Sequence, residues 1–122
     1  MRNKIWYLST CDKCMRVISE LGLVKGDKRV EFIDLKNNPI DEESLDLIKE
    51  ILACSYEDLF NKRAQKYTKT DLKNKLKDDL DFKREILKEY TFIKRPIISC
   101  GKKFFVDSKI SKSILEIKKL LN

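Results

Sequence analysis

The 122-residue sequence predicts an α/β fold, a mixed four-stranded sheet flanked by helices and interrupted by a helical insert. Three observations lead there. A short apolar run, Ile5-Trp6-Tyr7-Leu8, passes through a turn into a C-x-x-C and a helix-forming stretch. A second apolar run follows two glycines, Gly22 and Gly26. A third, led by Pro96, folds back on itself at Gly101-Lys102.

Each element has its own signal. Lys4–Leu8 reads as a buried strand, and Asp12 to about Leu21 as a helix with Met15, Ile18 and Leu21 on one side. Gly22 and Gly26 mark its end. Arg29–Leu35 is apolar enough for a second strand, parallel to the first through a right-handed crossover. Asn37-Asn38-Pro39 is a turn. Asp41 suits an N-cap, and the helix it opens continues from Ser44 to Leu52 with Leu45, Ile48 and Leu52 inward. Ser55-Tyr56-Glu57-Asp58 starts another helix, with acids in its first turn. Thr70 to Tyr90 is helical in pattern. Thr70 or Asp71 caps one helix there, and a second begins near Asp79–Asp81 with Phe82, Ile86 and Leu87 apolar. Phe92–Ser99 leads into a third strand, and Lys103–Val106 returns as its antiparallel partner. Ser111 or Ser113 caps a last helix with Ile114, Ile117 and Leu121 on one face. The order β-α-β, helical block, β-β-α is the thioredoxin-like arrangement of glutaredoxin type. It is expected as one domain over residues 1–122, with the insert at approximately 41–91.

Composition narrows the chemistry. There is no histidine, so a histidine base or a Ser/Cys–His pair is excluded, and only cysteines and carboxylates remain as zinc ligands. No apolar stretch is long enough to span a membrane, and Ile5–Leu8 is too short for the apolar region of a signal peptide. The chain therefore reads as cytoplasmic, where thiols are kept reduced and a close cysteine pair serves catalysis or metal binding. Net charge is +7 but uneven: −3 over residues 1–61, +8 over 62–103 and +2 over 104–122. A basic middle attracts anions or nucleic acid. Here lysines alternate with acids through Lys69–Glu89, the pattern of a solvated helix face, and no nucleic-acid-binding motif is present.

Cys11 and Cys14 carry the reactive pattern. Cys11 falls at a helix N-terminus, where unpaired N–H groups and the dipole favour negative charge. The thiolate, not the thiol, is the nucleophile. At a pKa near 8.5 only about 3% of a thiol is ionised at pH 7, and reaching a pKa near 6 takes more than about 3 kcal/mol. A helix N-terminus supplies up to about 2 kcal/mol, so a fixed cation is needed, and Arg95 is the candidate. Pro96 opening an inner strand forfeits a ladder N–H, which suits a tight turn presenting Arg95, and the Arg95–Pro96 bond is expected to be cis. The other readings of the pair are half of a zinc site, lacking a second cysteine pair, and a structural disulfide. Cys54 and Cys100 read as small buried hydrophobes, with a resolving thiol as the second reading. Arg63 reads either as a surface arginine or as an anion clamp whose guanidinium fork suits oxyanions.

Ser9-Thr10-Cys11-Asp12-Lys13-Cys14, Leu59-Phe60-Asn61-x-Arg63-x-x-x-Tyr67 and Phe92-Ile93-Lys94-Arg95-Pro96-Ile97-Ile98 together resemble the arsenate reductase/Spx family of thioredoxin-fold proteins. The resemblance implies that Cys11 is the nucleophile and that Arg95, before a cis-proline, binds an oxyanion. It implies an arsenic adduct on the thiol, reduced by glutathione and glutaredoxin. In the Spx branch it implies instead an intramolecular disulfide that senses oxidants, in a protein that binds RNA polymerase. Of the three arginines that such reductases place around the anion, Arg95 matches. Asn61 stands where the insert arginine is expected, with Arg63 two residues on, and the late-strand arginine falls near Val106. Cys14 adds a resolving thiol, so a Cys11–Cys14 disulfide could be reduced by thioredoxin. The expectation is a thiol–disulfide oxidoreductase without metal or bound cofactor, taking a small oxyanion or a disulfide. Thr10, Asp12, Lys13, Arg63 and Pro96 would hold the substrate, and glutathione or thioredoxin would act as external reductant.

Overall fold

Ile5, Trp6 and Tyr7 are all buried, so both faces of their strand are covered. The computed structural model describes residues 2–122. Strand β1 (Lys4–Tyr7) pairs in parallel with β2 (Glu31–Asp34) and antiparallel with β3 (Ile97–Cys100), which in turn pairs antiparallel with β4 (Lys103–Val106). The sheet order is β2-β1-β3-β4, with Ile5 opposite Phe32 on one side and Ile98 on the other. This mixed sheet is the thioredoxin-like arrangement that the sequence predicts.

The chain divides into two compact units, Met1–Asn38 with Arg95–Asn122, and Pro39–Lys94. The first holds the sheet with helices α1 (Asp12–Glu20), α6 (Ser108–Ser111) and α7 (Ile114–Leu121). Alternation along the strands sends Ile5, Tyr7, Ile98 and Cys100 to one face. There they meet Cys14, Val17, Ile18 and Leu21 of α1 and its end, and Ile110, Ile117 and Leu121 from the C-terminal helices. The buried Ser99 hydroxyl accepts the Lys4 N–H at 2.8 Å, so the one buried polar side chain among the described core residues is satisfied.

The second unit holds α2 (Glu42–Leu52), α3 (Tyr56–Leu59), α4 (Gln65–Thr68) and α5 (Asp79–Lys88). Asp41 caps α2 by accepting the Ser44 N–H, and reciprocal capping boxes open α3 (Ser55 with Asp58) and α5 (Asp78 with Asp81). Phe60 gathers the rings of Phe92, Phe82 and Tyr67 at 5.0 to 5.2 Å between centroids. The Asp79 carboxylate ties α5 to α3 by accepting the N–H groups of Tyr56 and Glu57, both at 3.0 Å. Lys83 pairs with Glu42 and Asp46, joining α5 to α2.

Several local expectations are corrected. Met15 is 43% exposed, because the 3.6-residue period puts Cys14, Val17, Ile18 and Leu21 on the inner face instead. The second strand is shorter than Arg29–Leu35, although Val30 and Leu35 are buried at its ends and the Leu35 N–H still donates to the Tyr7 carbonyl at 2.8 Å. Thr70–Leu80 is no continuous helix. A single 3-10 turn, Asp71–Asn74, is capped by Thr70, and Asp78 is extended before α5. The stretch has only Leu72, Leu76 and Leu80 to bury, and none of them is fully buried, so little packing stabilises a longer helix. Phe92 closes a 3-10 turn and Ile93 makes a lone bridge to Phe60, so β3 begins only at Ile97. Ser113 takes the cap position of α7 without a side-chain bond, and the one-turn helix α6 precedes it.

Candidate active site

Leu8 ends the apolar run of β1, and the chain turns through Ser9-Thr10 so that the Cys11 N–H donates to the Leu8 carbonyl at 3.0 Å. Cys11 then takes the N-cap position of α1 with extended backbone, and its carbonyl accepts the Met15 N–H at 3.1 Å. Its sulfur is half-buried, packed against the first unit's core, while Cys14 one turn on is fully buried. All four cysteines are free thiols.

Arg95 reaches the same sulfur from the turn before β3. The Arg95–Pro96 peptide is cis, as expected from the sequence. Pro96 is buried and Arg95 half-buried. At Cys11, burial opposes ionisation most strongly. The Cys14 N–H and thiol, and the Arg95 guanidinium by charge and hydrogen bond, together outweigh it and hold Cys11 below the ordinary thiol value. The Cys11 side chain makes no full capping bond, yet the Cys14 amide lies close enough to favour charge on the sulfur. Cys14 is driven the other way. Burial pushes its thiol up to about 12, opposed by a backbone hydrogen bond at Leu8 and reinforced by its hydrogen bond to Cys11 and by that residue's negative charge. The pair therefore divides into one thiol poised to ionise and one held protonated.

The remaining sequence-predicted residues fall into three groups. Thr10 and Asp12 are exposed on either side of Cys11. Lys13, half-buried in the first turn of α1, pairs with Asp107 just after β4. Arg63 belongs to the second unit, where it is exposed and its backbone N–H donates to Asn61 Oδ1 at 3.1 Å. Cys100 is buried, which pushes its thiol up to about 11 with help from Glu116, and Cys54 is likewise raised by burial and by Asp58. Cys100 matches its reading as a small buried hydrophobe, whereas Cys54, just past the end of α2, is only half-buried. Among the described residues no three His, Cys, Asp or Glu side chains gather as a metal site, and no helix is long and apolar enough to cross a membrane.

Asp107 is the residue that sequence reasoning missed. Its φ of 54° and ψ of −123° lie where side-chain-bearing residues are rare, and an aspartate after a strand gives no sign of that.

The fold is shared with solved bacterial structures. An arsenate reductase from Vibrio cholerae superposes with a TM-score of 0.71 at 20% identity, covering 96% of this chain and 98% of that one. An arsenate reductase related protein from Brucella melitensis gives 0.64 at 21% identity over 97% and 96%. SACOL0876 from Staphylococcus aureus COL gives 0.64 at 24% identity over 91% and 94%. A comparison with curated proteins found no match. The model of the ArsC family matches residues 6–109, a span that takes in Cys11, Cys14, Arg95 and Pro96 together, and the chain belongs to that family.

Proposed function

We propose that this protein is a thiol–disulfide oxidoreductase of the arsenate reductase type, with Cys11 as nucleophile and Cys14 as resolving thiol. The observation that carries the reading is the Arg95 guanidinium set on the Cys11 sulfur at the head of α1. The Cys11 thiolate attacks the oxidised centre. With arsenate a sulfur–arsenic bond forms and water leaves. With a disulfide a mixed disulfide forms and a thiolate leaves. Cys14 then gives up its proton and attacks the Cys11 sulfur. Arsenite or the second thiolate departs with the electron pair, and the Cys11–Cys14 disulfide remains. Thioredoxin, or glutathione with glutaredoxin, returns the two electrons.

The high Cys14 value fits this order of events. Negative charge on Cys11 is one of the causes holding Cys14 protonated. Once Cys11 is bonded to substrate that charge is gone, and the second thiol ionises more readily when it is needed.

Arsenate-dependent NADPH oxidation, coupled in parallel to glutathione/glutaredoxin and to thioredoxin, tests the reading. Turnover is expected in one system, to vanish in Cys11→Ser, and to stop at a covalent adduct in Cys14→Ser. Equal turnover in Cys11→Ser and the unaltered protein would reject it. A protein that forms the disulfide, turns over neither arsenate nor a disulfide, and retains RNA polymerase would be a redox-switch regulator instead.

A further inference from the structure

We infer that Asp107 is a specificity-determining residue of the Cys11 site, whose carboxylate engages Lys13 and withholds that cation from anionic substrates. This rests on the reading of Cys11 as the reacting thiol.

Asp107 is fixed by its backbone from two sides. Its N–H donates to the Pro96 carbonyl at 2.8 Å, next to Arg95, and its carbonyl accepts the Ile110 N–H at 3.0 Å. Its φ of 54° is a conformation that glycine takes freely and that an aspartate holds only under constraint. The chain thus keeps a carboxylate at a position where the backbone alone favours glycine. That carboxylate meets the Lys13 ammonium, two residues after Cys11 in the first turn of α1. The side chains are 35% and 27% exposed, so their pairing is less screened than that of a surface ion pair.

The charge balance follows. Within the first unit Arg95 faces the sulfur, and the next cation along the turn, Lys13, is already paired. Asp12, exposed in the same turn, adds negative charge. A doubly charged oxyanion or a carboxylate-bearing disulfide meets one effective cation, Arg95, with Asp12 exposed in the same turn and Lys13 neutralised by Asp107. An uncharged or cationic disulfide meets no such barrier. The substrate class this site favours is the latter, and Asp107 sets the preference.

Iodoacetamide and iodoacetate alkylate a thiolate by the same displacement and differ in charge. Their rates at Cys11, read by peptide mass spectrometry at low salt, report the local charge without any physiological substrate. The iodoacetate-to-iodoacetamide rate ratio is expected to rise about threefold in Asp107→Asn, and to lose most of that rise in about 0.5 M salt. Asp107→Gly, which removes the carboxylate while relieving the backbone, should give the same rise and guards against a misfolded variant. Adding Lys13→Gln to Asp107→Asn should return the ratio toward its original value, because the freed cation is what attracts the anion. An unchanged ratio in both Asp107 variants would overturn this inference alone. A Cys11 that no reagent labels ahead of the other thiols would overturn the underlying reading of the site, and this inference with it.

Discussion

Burial opposes ionisation at Cys11, and the Cys14 N–H and thiol, joined by the Arg95 guanidinium, outweigh it. A charge-assisted hydrogen bond is worth about 1.5–3 kcal/mol, so Arg95→Gln should raise the Cys11 value by at least about one unit. The pH profile of iodoacetamide labelling checks this, as an inflection moved upward. Cys14 should stay unlabelled until Cys11 is blocked, since it is fully buried and protonated. These residues were legible because their signal is chemical: two thiols three apart at a helix start, and an arginine locked to a proline. Asp107 was not legible, since its importance lies in a backbone angle and in a partner on another element. Met15 was misread because a three-residue step drifts off a 3.6-residue face.

Among the elements, the short helices of the insert depend on their caps. Four-residue α3 is too short to persist on its own, and its capping box satisfies two N–H groups that would otherwise be orphaned. Ser55→Ala and Asp78→Ala should each cost about 1 kcal/mol in urea unfolding. A double variant should depart from additivity, because Asp79 beside one box accepts the Tyr56 and Glu57 N–H groups beside the other. Asp58 and Asp81, held below the usual carboxylate value chiefly by backbone N–H groups, contribute stability above their unfolded value. That contribution is lost as pH falls below about 4 through their folded values. Caps at Asp41 and Ser55 could be read from sequence because capping is local chemistry. The lysine-rich Thr70–Lys77 stretch could not, because charge alternation mimics a helix face while the apolar residues needed to anchor one are missing.

Across the whole molecule, the hidden thiols set an alkaline limit. Cys14 and Cys100 keep their protons in the folded state to about 12 and about 11, while unfolded thiols release theirs near 8.5 to 9. Above about pH 9 the unfolded chain binds fewer protons, so stability falls with rising pH. Each group contributes up to about 1.4 kcal/mol per pH unit. Urea midpoints between pH 8 and 10.5 should show the decline, and Cys100→Ala should flatten it. Sheet order was readable from the sequence because strand, helix and hairpin signals occur in an order that few topologies allow. The interior of the insert was less so, since its core gathers aromatic rings from three other segments around Phe60.

The first unit is built from both sides of the insert, with Cys11 before it and Arg95 after it. During synthesis Cys11 emerges first, and Arg95, one of the groups that lower its value, follows only after the whole insert has been made. Until β3 joins the sheet, the Cys11 sulfur lacks the guanidinium that helps its ionisation against burial. The full set of groups that lower the Cys11 value is thus assembled only when folding is complete.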